Sequence, residues 1–230
     1  MIIIKKYIIL LVSIILLSLY IFNYKNYENN KNIYYSVSKI NTIDDEHKNK
    51  INIYFPITNY DLLDKEINNI IDTYIKEFKD AINEYKIQEN LYYTLYINYD
   101  EYTYKNYISF VFNIEMFTGG AHPNHFITTI NYDTLNNKFI NIDSLIDLNK
   151  NILNSLSKES RNILSSDKKF QINYNKDMMY EGTLPNKENF KNFVLTENGL
   201  KILFNYYQIA PYYYGETIIN IKYEKLNIEF

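Results

Sequence analysis

Hydrophobic residues repeat at three- and four-residue steps over residues 61–85, directly after the polar stretch that follows Pro56. This spacing puts the apolar side chains on one face of a helix, and Asp61 is a favourable N-cap residue. The pattern therefore predicts an amphipathic helix of about 24 residues, buried along one side. Its apolar positions are Leu63, Ile67, Ile70, Ile71, Tyr74, Ile75, Phe78, Ile82 and Tyr85.

Alternation of apolar and polar residues predicts strands on both sides of this helix. Residues 50–60 alternate with Ile51, Ile53, Phe55 and Ile57 on one face, and we expect Pro56 to end that strand. Asn198 and Gly199 predict a tight turn between two further strands. The other predicted strands cover residues 33–40, 91–102, 107–118, 125–133 and 217–223.

A second apolar repeat predicts another helix over about residues 148–165. Together the elements predict an α+β fold, in which antiparallel sheets pack against two or more helices that cover one face. By position we divide the chain into a cytoplasmic tail with a membrane anchor (1–24), a polar tether (25–45), an N-terminal half (46–138) and a C-terminal half (139–230).

The N-terminus predicts a membrane segment. Residues 7–24 carry no charge, they follow Lys5 and Lys6, and Lys25 comes directly after them. A membrane-spanning helix needs about 17–25 mostly apolar residues, so this run reaches the lower limit. We expect an uncleaved transmembrane helix with a cytoplasmic N-terminus and an extracytoplasmic domain. The alternative is a cleaved signal peptide and a secreted protein.

Composition excludes several classes of function. The formal net charge is -3, which does not fit the basic surface that binds nucleic acid. The sequence contains no cysteine, so disulfides, thiol catalysis and cysteine-ligated zinc are excluded. No motif calls for a cofactor.

The loop at residues 118–124 is the first candidate binding site. Gly119 and Gly120 suit positive φ angles or a close approach of the backbone, and Pro123 fixes a turn. We expect His122 to hydrogen-bond across the loop and Asn124 to satisfy loop amides. The loop is then a rigid turn whose surface can take part in recognition.

The same loop does not predict a metal site or a catalytic centre. His122 and His125 are separated by two residues, but Pro123 between them and the preceding glycines forbid a regular helix. A zinc site needs a third and usually a fourth ligand, and no spacing assigns one. The side chains available in composition are Glu115, Asp133 and His47. No serine lies in a nucleophile motif, so we assign no catalytic residue and no metal ligand.

A tyrosine-rich block at residues 205–216 is the second candidate. Tyr207, Tyr212 and Tyr213 offer ring faces and hydroxyls that suit a glycan or a protein partner. The alternative is that these rings pack against the helices, since the chain has 26 tyrosines.

Three segments in this order resemble a known family: residues 107–146, residues 190–215 and residues 219–226. The first contains "TGGAHPN" before a strand and "DSL" after it, and the second contains "YQIAPYYYG". They resemble the extracytoplasmic domain found in the anti-sigma-V factor RsiV and in the N-terminal region of a peptidoglycan deacetylase. The resemblance covers roughly residues 46–226.

The resemblance implies an exported α+β domain that binds something at the cell envelope, such as peptidoglycan or lysozyme. With about six residues before the membrane segment and no deacetylase domain, we expect neither sigma-factor control nor catalysis. We therefore prefer a membrane-anchored, non-catalytic binding domain. The alternatives are an envelope hydrolase that uses His122 with a metal or water, and a structural envelope protein.

Overall fold

The computed structural model describes residues 36–46, 48–84, 91–170 and 176–230. The predicted membrane segment at residues 7–24 lies outside these residues, and so does the beginning of the predicted tether. Within the described residues, no helix has the length and apolar character needed to cross a membrane.

Six strands form the larger sheet and lie side by side in chain order. Neighbouring strands run antiparallel, except that β2 and β3 run parallel. The prediction of an antiparallel sheet is thus too simple, because the sheet is mixed. The strands are β1 (Ser36–Asp44), β2 (Asn49–Ile57), β3 (Tyr93–Tyr104), β4 (Tyr107–Phe117), β5 (Asn124–Asp133) and β6 (Lys138–Phe139).

Helix α1 (Asp61–Glu84) explains the parallel pair, because a helix between β2 and β3 returns the chain to the end of the sheet from which β2 began. It is the helix that the apolar repeat predicts. Leu63, Ile67 and Phe78 are buried, and α1 packs against β2 and β3. Asp61 is the first helical residue rather than the cap.

The side chain of Asp64 ties the start of α1 to the end of β2. Its Oδ1 accepts hydrogen bonds from both the backbone N–H and the hydroxyl of Thr58, each at 2.7 Å. Strand β2 continues through Pro56, and Ile57, expected on the buried face, is 43% exposed. Strand β3 pairs only with Asn49–Ile53, so Ile57 has a neighbouring strand on one side alone, that of β1.

Three strands form a second, antiparallel sheet: β7 (Phe193–Thr196), β8 (Gly199–Phe204) and β9 (Thr217–Ile221). The predicted turn before Gly199 joins β7 to β8. The helices in this half are α2 (Ile142–Leu148), α3 (Ile152–Ser166), α4 (Lys176–Gly182) and α5 (Tyr223–Leu226), with short 3-10 turns at Lys168–Phe170, Glu188–Phe190 and Tyr212–Tyr214. Helix α3 is the helix predicted for residues 148–165.

The two sheets pack face to face through a small apolar cluster. Val111 and Ile127 of the larger sheet contact Val194 and Leu203 of the smaller one. Helices α2, α3 and α4 contribute to the main core on the other face of the smaller sheet, whereas α1 packs on the larger sheet. The helices therefore cover two outer faces, not the single face that we expected.

Buried polar side chains also join the sheets. The hydroxyl of Ser109 donates to Asn131 Oδ1 at 2.6 Å, and Asn131 Nδ2 donates to the carbonyl oxygen of Phe193 at 2.9 Å. Ser109 is fully buried and Asn131 is 3% exposed. The hydrogen bonds fix how β7 lies across β4 and β5.

Candidate binding site

The two candidate segments lie against each other in the fold. The imidazole of His122 stacks on the ring of Tyr212, with centroids 3.9 Å apart and planes 20° apart. The Tyr212 hydroxyl donates a hydrogen bond to the carbonyl oxygen of Pro123 at 3.1 Å. The β4–β5 loop and the β8–β9 connection thus form one surface.

His122 also hydrogen-bonds within the loop, to the next residue rather than across the loop as we expected. Its Nδ1 lies 2.9 Å from the carbonyl oxygen of Pro123, and a carbonyl oxygen only accepts, so Nδ1 is the donor. In the neutral imidazole Nε2 is then an acceptor, and the hydroxyl of Tyr207 lies 3.5 Å from it. Gly119 and Gly120 have φ angles of 97° and 113°, the positive values expected of them.

The remaining predicted residues lie at the edge of this surface. Asn124 begins β5 with an exposed side chain, which makes no hydrogen bond to loop amides within the part of the chain that the structure describes. Tyr207 is 55% exposed and Tyr213 is 71% exposed. A binding role for these residues stays a prediction.

A cavity of about 440 Å³ opens beside this surface. Its floor is the polar part of the larger sheet, and its wall is made by Tyr206 and Glu216 of the β8–β9 connection. The polar side chains along the floor and the adjoining edge are Asn52, Tyr54, Tyr96, Asn98, Asn113, Glu115 and His125.

Strand register explains why these polar groups come together. Asn52, Tyr96, Glu115 and His125 are successive partners across β2, β3, β4 and β5, so they form one row on one face of the sheet. The intervening residues of each strand point to the opposite face, where α1 packs. A row of hydrogen-bonding side chains therefore crosses the sheet at one level.

The acidic end of the cavity is built around Tyr206. Its ring stacks on the imidazole of His125, with centroids 4.6 Å apart and planes 17° apart. Burial raises the pKa of Tyr206, and the negative charges of Glu216 and Glu115 raise it further. His125 Nε2 is 4.0 Å from a carboxylate oxygen of Glu115, beyond hydrogen-bonding distance.

Basic side chains lie at the opposite end. Lys39 Nζ is 5.0 Å from the centroid of the Tyr54 ring, and Lys50 Nζ is 5.8 Å from that of Tyr96. A hydrogen bond from Lys39 and the positive charge of its ammonium lower the pKa of Tyr54. Charge in the cavity is therefore uneven, acidic near β4 and β5 and basic near β1.

The candidate metal ligands that the structure describes are not assembled into a site; His47 lies outside the described residues. Within the described residues, no group of three or more histidine or carboxylate side chains could hold a metal ion. His122 and His125 stack on different tyrosines, and Asp133 accepts hydrogen bonds from Asn106, Leu135 and Asn136.

Comparison with known proteins relates part of this chain to a family. Residues 140–224 match the family described as protein of unknown function, DUF3298. Over 148 residues the chain is 34% identical to the peptidoglycan-N-acetylmuramic acid deacetylase PdaC of Bacillus subtilis (strain 168), an alignment that covers 64% of this chain and 31% of the deacetylase.

The resemblance to the deacetylase's N-terminal region is thereby confirmed, although the chain spans less than a third of that protein. Two solved DUF3298 structures share the fold. One, from Bacteroides fragilis, has a TM-score of 0.59 and 22% identity, covering 85% of this chain and 92% of that one. The other, from Pseudomonas aeruginosa, has a TM-score of 0.60 and 17% identity, covering 85% and 93%.

The cavity was not identified as a candidate site from the sequence alone. Tyr206 and Glu216 were not singled out, and Glu115 and His125 were considered only as metal ligands. The sequence does contain a signal for this cavity. In β3 and β4 every second residue is polar or tyrosine, and these residues lie at the same end of both strands.

Proposed function

We propose that this chain is a non-catalytic domain that acts outside the cytoplasm and binds a carbohydrate of the cell envelope in the cavity. The observation that carries the proposal is the row Asn52, Tyr96, Glu115 and His125, which faces the open space beside Tyr206. The predicted membrane segment and the peptidoglycan-related name of PdaC support an envelope ligand.

The lining suits a sugar better than an apolar ligand. Small-molecule sites typically enclose about 300–1,000 Å³, and this cavity of about 440 Å³ fits within that range. Amide and carboxylate groups can hydrogen-bond several hydroxyls, while Tyr96 and Tyr206 combine a ring face with a polar hydroxyl. Such a row can recognise a sugar through several polar contacts at a fixed spacing.

A second candidate is a protein ligand such as lysozyme, favoured by the exposed rings of Tyr207 and Tyr213 beside the loop. Exposed aromatic side chains are enriched where proteins meet. This ligand would use the outer surface around Tyr213 rather than the cavity floor.

Co-sedimentation separates the two candidates. The full-length chain, kept in a mild detergent, is incubated with insoluble peptidoglycan sacculi at about micromolar concentration, a range in which specific binding is readily measured. We expect retention that Tyr96→Ala abolishes and Tyr213→Ala leaves unchanged. Thermal unfolding of both variants controls for loss of fold.

Lysozyme immobilised on beads provides the second arm. Retention on lysozyme that is lost in Tyr213→Ala but kept in Tyr96→Ala would favour the protein ligand. Absence of retention on sacculi for the parent chain would rule out the carbohydrate proposal.

A further inference from the structure

We infer that the cavity binds a glycan with a free, protonated amine, which lies between the carboxylates of Glu115 and Glu216 near the hydroxyl of Tyr206. The inference rests on the proposed function and specifies the class of carbohydrate. It follows from the kind of hydrogen-bonding groups that the cavity presents.

The two carboxylates have few partners. Glu115 and Glu216 line the cavity, and within the described residues neither carboxylate forms a hydrogen bond or an ion pair with lysine or arginine. The nearest cationic candidate is the imidazole of His125, 4.0 Å from Glu115, and it already stacks on Tyr206. An ionised carboxylate only accepts hydrogen bonds, so this end of the cavity offers acceptors.

Glu115 lies on β4 and Glu216 in the β8–β9 connection, and both line the cavity. Glu115 is 4.0 Å from the His125 imidazole that stacks on the Tyr206 ring. Glu216 follows Gly215, where an added Cβ would lie 3.7 Å from the Tyr206 hydroxyl. Both carboxylates are therefore near Tyr206, and their negative charges raise its pKa. An ammonium group carries three donors and one positive charge, which match two carboxylates and a hydroxyl oxygen.

A further unsatisfied acceptor lies deeper on the floor. Asn52 Oδ1 is buried and has no hydrogen-bond partner among the residues that the structure describes. Such an atom is costly unless a ligand donates to it, and buried polar groups are usually paired. Asn52 is two strands from Glu115 in the row, about 10 Å at the usual strand spacing, so a hydroxyl of the same glycan would reach it rather than the amine.

Lys39 does not neutralise the acidic end. Lys39 is on β1 and Glu115 is on β4, three strands apart, which corresponds to about 14 Å. This separation exceeds the screening length of about 8 Å at physiological salt, so Lys39 acts mainly on Tyr54. The field between Glu115 and Glu216 favours a cation and disfavours an anionic sugar.

A matched pair of oligosaccharides tests the inference. Glucosamine tetramer and N-acetylglucosamine tetramer share a backbone, and only the first has free amines. Isothermal titration of the full-length chain in mild detergent, at about pH 6 where an ordinary amine is protonated, gives both affinities. We expect glucosamine tetramer to bind at least about tenfold more tightly, the scale of one charged hydrogen bond.

Charge-removing variants locate the amine. Glu115→Gln and Glu216→Gln should each weaken glucosamine tetramer binding by about tenfold, since each removes one charged acceptor. Glu197→Gln is the matched control, because Glu197 is exposed on the β7–β8 turn away from the cavity, and it should leave the affinity unchanged. Added salt should weaken binding of the parent chain more than binding of either glutamine variant, because each variant keeps one of the two carboxylates.

The outcomes distinguish the inference from the proposed function. Equal or tighter binding of N-acetylglucosamine tetramer would overturn the amine and leave the carbohydrate proposal standing. Retention on sacculi without binding of either tetramer would likewise overturn the amine and leave the carbohydrate proposal standing. Failure of the tetramers and of the sacculi together would remove both proposals.

Discussion

Replacing Asn131 by alanine tests whether the two sheets are held together by a dry polar contact. Asn131 is 3% exposed, and its side chain accepts from Ser109 and donates to the carbonyl oxygen of Phe193. The substitution removes both hydrogen bonds and leaves a buried hydroxyl and a buried carbonyl without these partners. At about 1–3 kcal/mol for each of the two orphaned groups, the free energy of unfolding should fall by about 2–6 kcal/mol.

Urea unfolding of the full-length chain measures this loss, followed by circular dichroism. The matched control is Asn220→Ala, because Asn220 Nδ2 also donates to a backbone carbonyl, that of Asn198 at 2.8 Å, but at an exposed position. The control should change stability by less than about 0.5 kcal/mol. Ser109→Ala and the double variant complete a cycle, in which we expect the two substitutions to be non-additive.

A result near the control value would refute the reasoning. If Asn131→Ala cost less than about 1 kcal/mol, water would have to satisfy the freed groups, and the contact between the sheets would not be dry. The position of the β8–β9 connection over the cavity would then need another explanation.

Three further substitutions probe other contacts. Burial alone would raise the pKa of Asp133, but hydrogen bonds from neighbouring amides outweigh it and lower that pKa. The ionised carboxylate therefore stabilises the fold above about pH 4, and this stabilisation is lost as the pH falls through the lowered pKa. Asp133→Asn should make the free energy of unfolding, measured with urea, less dependent on pH in the acid range. Arg161→Lys should cost about 1–2 kcal/mol in the same assay, because the guanidinium carbon lies 4.1 Å from the centroid of the Tyr180 ring and lysine cannot reproduce the stacked, hydrogen-bonded geometry. Gly182→Ala should lower the thermal midpoint more than Gly120→Ala. A Cβ added at Gly182 would lie 2.0 Å from a carbonyl oxygen, whereas a Cβ added at Gly120 would meet no atom within 4 Å.

The individual helices and strands were predictable because the spacing of apolar residues and the residue types that favour turns are local features of the sequence. The apolar repeat gave α1 from its start at Asp61 to its end near residue 84, and alternation gave β4 and β5 to within a residue or two. The turn before Gly199 followed from its residue types. These predictions need no knowledge of which elements pack together.

Pairing between elements was not predictable in the same way. Alternation in β2 and β3 specifies which side chains share a face, but it does not say whether the strands run parallel or which sheet they join. The parallel pair and the separation into two sheets depend on contacts far apart in sequence. The stacking of His122 on Tyr212 is of this kind, since each segment was recognised alone and their contact was not.

The cavity itself follows from a difference in strand length between the sheets. Strands β3 and β4 have 12 and 11 residues, whereas β7 and β8 have 4 and 6. At about 3.3 Å per residue the smaller sheet can cover only about half the length of the larger one. On the covered half of the inner face, Val111 meets the apolar cluster and Ser109 meets Asn131.

The inner face of the larger sheet changes from apolar to polar at the point where the smaller sheet no longer covers it. Beyond Val111, the inward positions of β4 become Asn113 and Glu115, and their partners on β3 are Asn98 and Tyr96. A packed sheet would leave these groups without water, and their burial would be costly unless they were paired. Polar residues are therefore compatible with the fold only on the uncovered half, where they line a cavity that a ligand can enter. The change from apolar to polar along one face of β4 thus marks both the limit of the inter-sheet core and the beginning of the proposed binding site.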